Sequence, residues 1–180
     1  MPDTDTLKSK KNTALKIVLP VILICIVFGI WAMKNKENDM NYVNIENTDF
    51  TLLVTEKIDL EKLKSYGFPI VIDFGADSCV PCKEMAPILK ELNEELQGKA
   101  IIKFVDVWKY HELADDYPIN VIPTQIFIDA KGKPYNPKNP EAIQMKLYSQ
   151  RDTDEHVFTT HEGGMTKDQI MTALREMGLE

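Results

Sequence analysis

Asp73-Phe74-Gly75-Ala76-Asp77-Ser78-Cys79-Val80-Pro81-Cys82-Lys83 is the stretch whose reading decides the fold. Ahead of it runs Pro69-Ile70-Val71-Ile72, a β-branched segment that opens on proline and reaches Phe74 interrupted only by Asp73. That is the pattern of a strand buried on both faces. Behind it, Met85, Ile88, Leu89, Leu92 and Leu96 recur at helical spacing, and Gly98 supplies the stop. Two cysteines therefore fall where a buried strand hands over to a helix, with Cys79 at the helix start. Unpaired N–H groups and the helix macrodipole favour a thiolate there. Cys82, a turn further in, is shielded and suited to attack a mixed disulfide once Cys79 has formed it. Pro81 costs the helix little, because the N–H it lacks lies in the unpaired first turn.

Working outward, Phe50–Thr55 predicts a first strand, and Asp59 caps a helix running to about Tyr66 that Gly67 ends. Ala100–Val107 predicts another buried strand, followed by a short helix around His111 to Tyr117. Val121-Ile122-Pro123-Thr124 leads into a strand Gln125–Asp129 and a turn at Lys131-Gly132-Lys133. Residues 134–144 read as loop, Met145–Tyr148 and His156–Thr160 as two strands, and Thr166–Met177 as a last amphipathic helix with Thr166 as cap and Gly178 as stop. This order predicts an α/β domain, a mixed β-sheet with helices on both faces. The stretch around 134–155 is longer than a hairpin needs, and the part from Glu141 to Glu155 is expected to form a partner-selecting surface near the cysteines.

The chain has 180 residues, enough for one well-buried domain with an appendage. The appendage is N-terminal: Ile17–Met33 contains no charged residue and, at about 1.5 Å per residue, spans roughly 25 Å. With Ala14 and Leu15 extending it and Lys16 snorkelling, it predicts one transmembrane helix. No small-x-small pattern nearby suits cleavage, so it is expected to stay as an anchor. Lys8, Lys10, Lys11 and Lys16 ahead of the span outweigh Lys34 and Lys36 behind it, which places residues 1–16 in the cytoplasm and the domain outside it. Residues 34–47 are polar and read as a tether, leaving 48–180 for the domain. The whole chain has net charge -7, and since residues 1–33 carry four lysines against Asp3 and Asp5, the remainder carries -9, which argues against nucleic acid as a partner.

Taken alone, Cys79 and Cys82 leave a structural disulfide or half of a zinc site open as alternatives, though His111, His156 and His161 lack the spacing to complete a tetrahedral site. His161, beside Glu162, reads as a surface residue at a strand end. Cys25 and the methionines read as apolar packing.

The motif Asp73 to Lys83, followed by Ile122-Pro123-Thr124, resembles the thioredoxin superfamily over roughly residues 50–180. The resemblance implies a thiol-disulfide oxidoreductase without a cofactor, cycling through a Cys79–Cys82 disulfide. It implies Asp73 as the family's buried acid, Lys103 as that acid's partner, Pro123 as the cis-proline, and a substrate-binding rim at Ile122, Thr124 and Gly163. Ser78 and Gly75 stand where family members usually carry tryptophan, and Trp108 is expected to cover the site instead. The tether and the Val-Pro dipeptide are similar to membrane-anchored reducing thioredoxins, which implies a disulfide-bearing protein as substrate and a membrane protein as electron donor. A disulfide oxidase or isomerase, or a copper chaperone using the two thiolates, are the alternatives.

Overall fold

The computed structural model describes residues 48–180. The basic segment, the apolar run 17–33 and the tether 34–47 lie outside the described residues. Among the described residues no helix is long and apolar enough to cross a membrane.

A 3-10 turn, Thr48–Phe50, leads into β1 (Leu53–Val54), much shorter than the strand expected over Phe50–Thr55. The reason is local: Thr51 turns its amide and its hydroxyl back onto the Thr48 carbonyl, which curls the chain before it can pair. α1 (Leu60–Ser65) begins where Asp59 accepts from the Lys62 amide. β2 (Ile70–Gly75) and β3 (Ile101–Asp106) are buried at every position. Between them α2 (Val80–Glu95) buries Cys82, Met85, Leu89 and Leu92. After a 3-10 turn at His111–Ala114, shorter than the helix expected over His111 to Tyr117, come β4 (Thr124–Ile128), β5 (Met145–Ser149), β6 (His156–Glu162) and α3 (Lys167–Glu176). Thr166 and Gln169 close a capping box at the start of α3.

One six-stranded sheet runs in the order β1-β3-β2-β4-β6-β5. β1, β2 and β3 are parallel, and β4, β6 and β5 add on antiparallel to their neighbours. One face, with Val71, Ile102, Phe104 and Phe127, packs under α2 and α3 through Met85, Leu89, Leu92, Ile170 and Leu174. The other, with Ile70, Ile72, Ile101, Val105 and Ile126, packs against Leu63 of α1 and the segment holding Leu113 and Tyr117. The prediction of a mixed sheet with helices on both faces is met.

The 134–155 insertion adds β5 as an outer edge strand. Thr124, at the start of β4, pairs with Glu162 at the end of β6, and Met145 pairs with His161. The start of β5 thus lies at the end of the sheet that carries the cysteines, whereas the turn joining β5 to β6 lies at the opposite end. That corrects the expectation that the whole of Glu141–Glu155 borders the site, since a hairpin's tip is one strand length away from its base.

Candidate active site

β2 ends at Gly75, and Ala76 to Ser78 turn the chain into α2. Asp106, buried at the end of β3 and in register with Gly75, holds this turn: its carboxylate accepts from the amides of Asp77, Trp108 and Lys109. Cys79 is the N-cap of α2, half-exposed, and its sulfur accepts from the Cys82 amide at 3.4 Å. Cys82 is only 3% exposed. The two are joined as a disulfide. Val80 between them stands 67% exposed.

Asp73 lies fully buried beneath them. Its Oδ2 and the Cβ of Cys82 both lie 3.3 Å from the point where a side chain on Gly75 would begin, so the acid sits beside the inner sulfur's residue because position 75 is a glycine. Burial pushes the Asp73 carboxyl up to about 7, against the pull of a hydrogen bond from Gln125. That bond is short, Gln125 Nε2 donating to Asp73 Oδ1 at 2.7 Å.

Lys103 is not Asp73's partner. In the β2–β3 register Lys103 pairs with Ile72 and Phe104 with Asp73, so Lys103 projects from the other face of the sheet. A one-residue step along a strand reverses the face, and no side chain reaches through the layer. Its ammonium donates instead to the carbonyls of Thr48 and Thr51, at 3.1 and 2.8 Å. Burial lowers Lys103 to about 8, with Asp49 opposing the shift.

The Ile122–Pro123 bond is cis, and Pro123 is buried at the cysteine end of β4. Gly163 donates its amide to the Pro123 carbonyl at 2.8 Å, which ties the start of the α3 connection to this loop. Ile122 is half-buried. Thr124 is fully buried and its hydroxyl donates to the Val121 carbonyl at 2.7 Å, so its side chain braces the loop and does not face a substrate. Trp108 is 63% exposed, an open apolar surface at this end of the sheet and not a closed cover. Lys109 reaches back to Asp77 and, at 3.6 Å, to Asp106, and the bond with Asp77 chiefly holds its ammonium above the usual range.

Besides Asp106, two buried polar side chains near Asp73, Gln125 and His161, were not among the expected site residues. Gln125 is in register with Asp73 and with His161. His161 is 7% exposed and not a surface residue, because β5 covers the flank of β6 that would otherwise be an edge. Burial lowers its imidazole, with Glu162 opposing. The signal for Gln125 was present: an amide at the head of the apolar run Ile126-Phe127-Ile128, directly after Pro123-Thr124.

A buried acid under a strand-to-helix disulfide, with a cis-proline at the same end of the sheet, prompts comparison with known proteins. The family model described as Thioredoxin matches residues 51–150. The chain belongs to the thioredoxin family. A thioredoxin of Mycoplasmoides gallisepticum is 38% identical over 74 residues, which cover 41% of this chain and 73% of that protein. A chloroplastic thioredoxin of type Y from Oryza sativa subsp. japonica is 40% identical over 74 residues, covering 41% of this chain but only 44% of the relative. A chloroplastic thioredoxin of type Y from Arabidopsis thaliana is 25% identical over 130 residues, 67% of this chain and 74% of the relative. This thioredoxin is a thiol-disulfide oxidoreductase, and its two active-site sulfurs are in the oxidised form.

Proposed function

We propose that this thioredoxin is a membrane-anchored, extracytoplasmic reductant of protein disulfides, with Cys79 as nucleophile and Cys82 as resolving thiol. The observation that carries the assignment is the inequality of the two sulfurs' residues: Cys79 is half-exposed at the helix start, and Cys82 is 3% exposed behind it, beside Asp73. In the reduced protein the Cys79 thiolate attacks a substrate disulfide and displaces one substrate thiolate. Asp73 takes the proton of Cys82, and the resulting thiolate attacks Cys79, releasing the second substrate thiol and leaving the Cys79–Cys82 disulfide.

The direction of electron flow follows from how little beyond the helix start holds a sulfur anion here. Val80 and Pro81 carry no charge, and the ammonium of Lys109 is engaged by Asp77 and Asp106. A weakly stabilised thiolate favours the disulfide, hence a reducing potential, below about -200 mV. The oxidised enzyme is then recharged by a dithiol of a membrane protein that carries electrons outward. The apolar run 17–33 and the lysines ahead of it support the anchor and its orientation.

The test uses the full chain with Cys82→Ser in its native membrane. Covalent complexes with substrate proteins accumulate and are reached by a membrane-impermeant reductant. Complexes that form equally with Cys79→Ser, or that only a permeant reductant opens, reject the assignment or the location respectively.

A further inference from the structure

Gln125 offers two N–H bonds from one nitrogen, and the structure uses both toward fixed acceptors: Asp73 Oδ1 at 2.7 Å and the Gly163 carbonyl at 3.1 Å. Met85 Sδ lies 3.5 Å from the same nitrogen. With acceptors on both sides, the NH2 end of the amide has only one orientation that satisfies them. The other carboxyl oxygen, Asp73 Oδ2, has no hydrogen-bond partner among the described residues, and it is the oxygen beside Gly75 and the Cys82 Cβ. We propose that Gln125 is the positioning residue of the proton-transfer step, holding Oδ1 so that Oδ2 stays turned to Cys82 as the proton acceptor. The proposal rests on the dithiol mechanism above and assigns the part of it that no cation performs.

A neutral donor suits that part. An ammonium clamped to the carboxyl would stabilise the anion strongly and leave it a weak base, whereas an amide orients the group and shifts its proton affinity modestly. The groups facing Asp73 support this division. From α2 come Cys82 and Met85, from β3 Phe104 and, two residues on, Asp106 with its Lys109 partner, from β4 Gln125, and from β6 His161, in register with Gln125. Lys103 belongs to the other face. The Gly163 carbonyl gives Gln125 a second link, because the Gly163 amide holds Pro123 in the loop that faces substrate.

The step balances as a proton transfer followed by an exchange. The Cys82 thiol gives its proton to Asp73 Oδ2, and its sulfur then bonds to Cys79 Sγ. The bond between Cys79 and the substrate sulfur breaks, and the substrate thiolate leaves with the electron pair and takes a proton from solvent. The protein dithiol is oxidised by two electrons and the substrate disulfide is reduced by two.

The experiment isolates this step in the full chain. The reduced protein is reacted with 5,5′-dithiobis(2-nitrobenzoate), so that Cys79 carries thionitrobenzoate, and the release of that group by Cys82 is timed from pH 5 to 9. Because the hydrogen bond from Gln125 favours the carboxylate, its loss in Gln125→Met moves the midpoint of the profile up by about one pH unit, which is about a tenfold slower release well below the midpoint. In an Asp73→Asn background the same substitution leaves the profile where it is. An unchanged midpoint with release intact, or an equal shift in the Asp73→Asn background, overturns the role of Gln125 and leaves the dithiol mechanism standing. Release that does not need Cys82 overturns both. Should Gln125→Met fail to fold, nuclear magnetic resonance of the unsubstituted chain decides: the Gln125 side-chain amide titrates with the midpoint of the Asp73 carboxyl, and an amide signal that stays flat overturns the proposal.

Discussion

Asp73 and Lys103 are buried charges on neighbouring strands, one register step apart, and they face away from each other. Among the described residues Asp73 has one donor, a neutral amide, and keeps an oxygen unpaired at the foot of the cysteine helix. Lys103 is 4% exposed and donates to two backbone carbonyls of the segment that precedes β1. Both carry a desolvation cost, visible as an acid pushed up to about 7 and a lysine lowered to about 8. They differ in what surrounds the group. The lysine's donors close on the chain itself and pin the Thr48–Phe50 turn to β3, which is structure. The acid's remaining valence opens toward a sulfur residue, which is chemistry. A buried charge marks a reactive site where its hydrogen bonding is left incomplete on the side of a nucleophile.

The largest effect expected from this contrast comes from Asp73→Asn. The folded-state carboxyl near 7 lies above the value of about 3.9 it has when unfolded. Between those values the folded chain holds a proton that the unfolded chain has lost, so stability falls as pH rises through this window and stays low above 7. Asparagine has no such dependence. Asp73→Asn is therefore more stable than the parent at pH 8, and its advantage grows by about 3 kcal/mol between pH 5 and pH 8. Urea unfolding of the oxidised protein at the two pH values measures it. The same substitution slows release of a Cys79 adduct by Cys82 about a hundredfold. A stability difference independent of pH breaks the contrast, because it means that the buried carboxyl is not held in its neutral form beneath the cysteines.

Most of the fold could be read from the chain because its signals are local. The strand Ile70–Gly75, the helix starting at Val80 and the capping box at Thr166 and Gln169 each depend on patterns within a few residues. Cys79, Cys82, Asp73 and Pro123 lie at one end of the sheet, where the motif and the family resemblance put them. What failed needed register. Whether Asp73 meets Lys103 or Gln125 is settled by a single residue of offset between strands, and runs buried on both faces lack the regular polar-apolar alternation that would fix that offset. His161 was misplaced for a related reason: its burial depends on a strand contributed by the insertion, not on its neighbour Glu162.

A smaller effect probes the space on the Asp73 side. A Cβ at Gly75 would come within 2.9 Å of the Phe104 ring and 3.3 Å of both Asp73 Oδ2 and the Cys82 Cβ. Phe104 is 6% exposed and has no room to yield. Gly75→Ala is expected to destabilise by about 1–3 kcal/mol by overcrowding, read from thermal unfolding, and to shift the pH profile of Cys82-dependent release. Gly164→Ala, where a Cβ meets nothing within 4 Å, is the control and changes stability by no more than about 0.5 kcal/mol. Equal losses at the two glycines would show that the closeness at Gly75 is not tight packing around the acid.

The smallest effect belongs to Lys103→Met, and its sign separates the two faces. A lysine near 8 in the folded chain and about 10.4 when unfolded is penalised in its charged form, so the full penalty applies below 8 and is relieved as pH rises from 8 to about 10.4. The parent therefore gains stability relative to Lys103→Met over that range, by about 1–2 kcal/mol once the partial solvation of the ammonium is allowed for. This slope is opposite to that of Asp73 and lies at higher pH, so urea unfolding at pH 7.5 and pH 10 distinguishes them in the same protein. Methionine keeps the volume of the stem but leaves the Thr48 and Thr51 carbonyls without their donor, which lowers stability at all pH values and does not alter the slope. Release of a Cys79 adduct by Cys82 is expected to change less than about twofold, because the ammonium projects from the face opposite the acid. A tenfold slower release, or a shifted pH profile, would mean that Lys103 acts on the acid through the sheet and that the two faces are coupled.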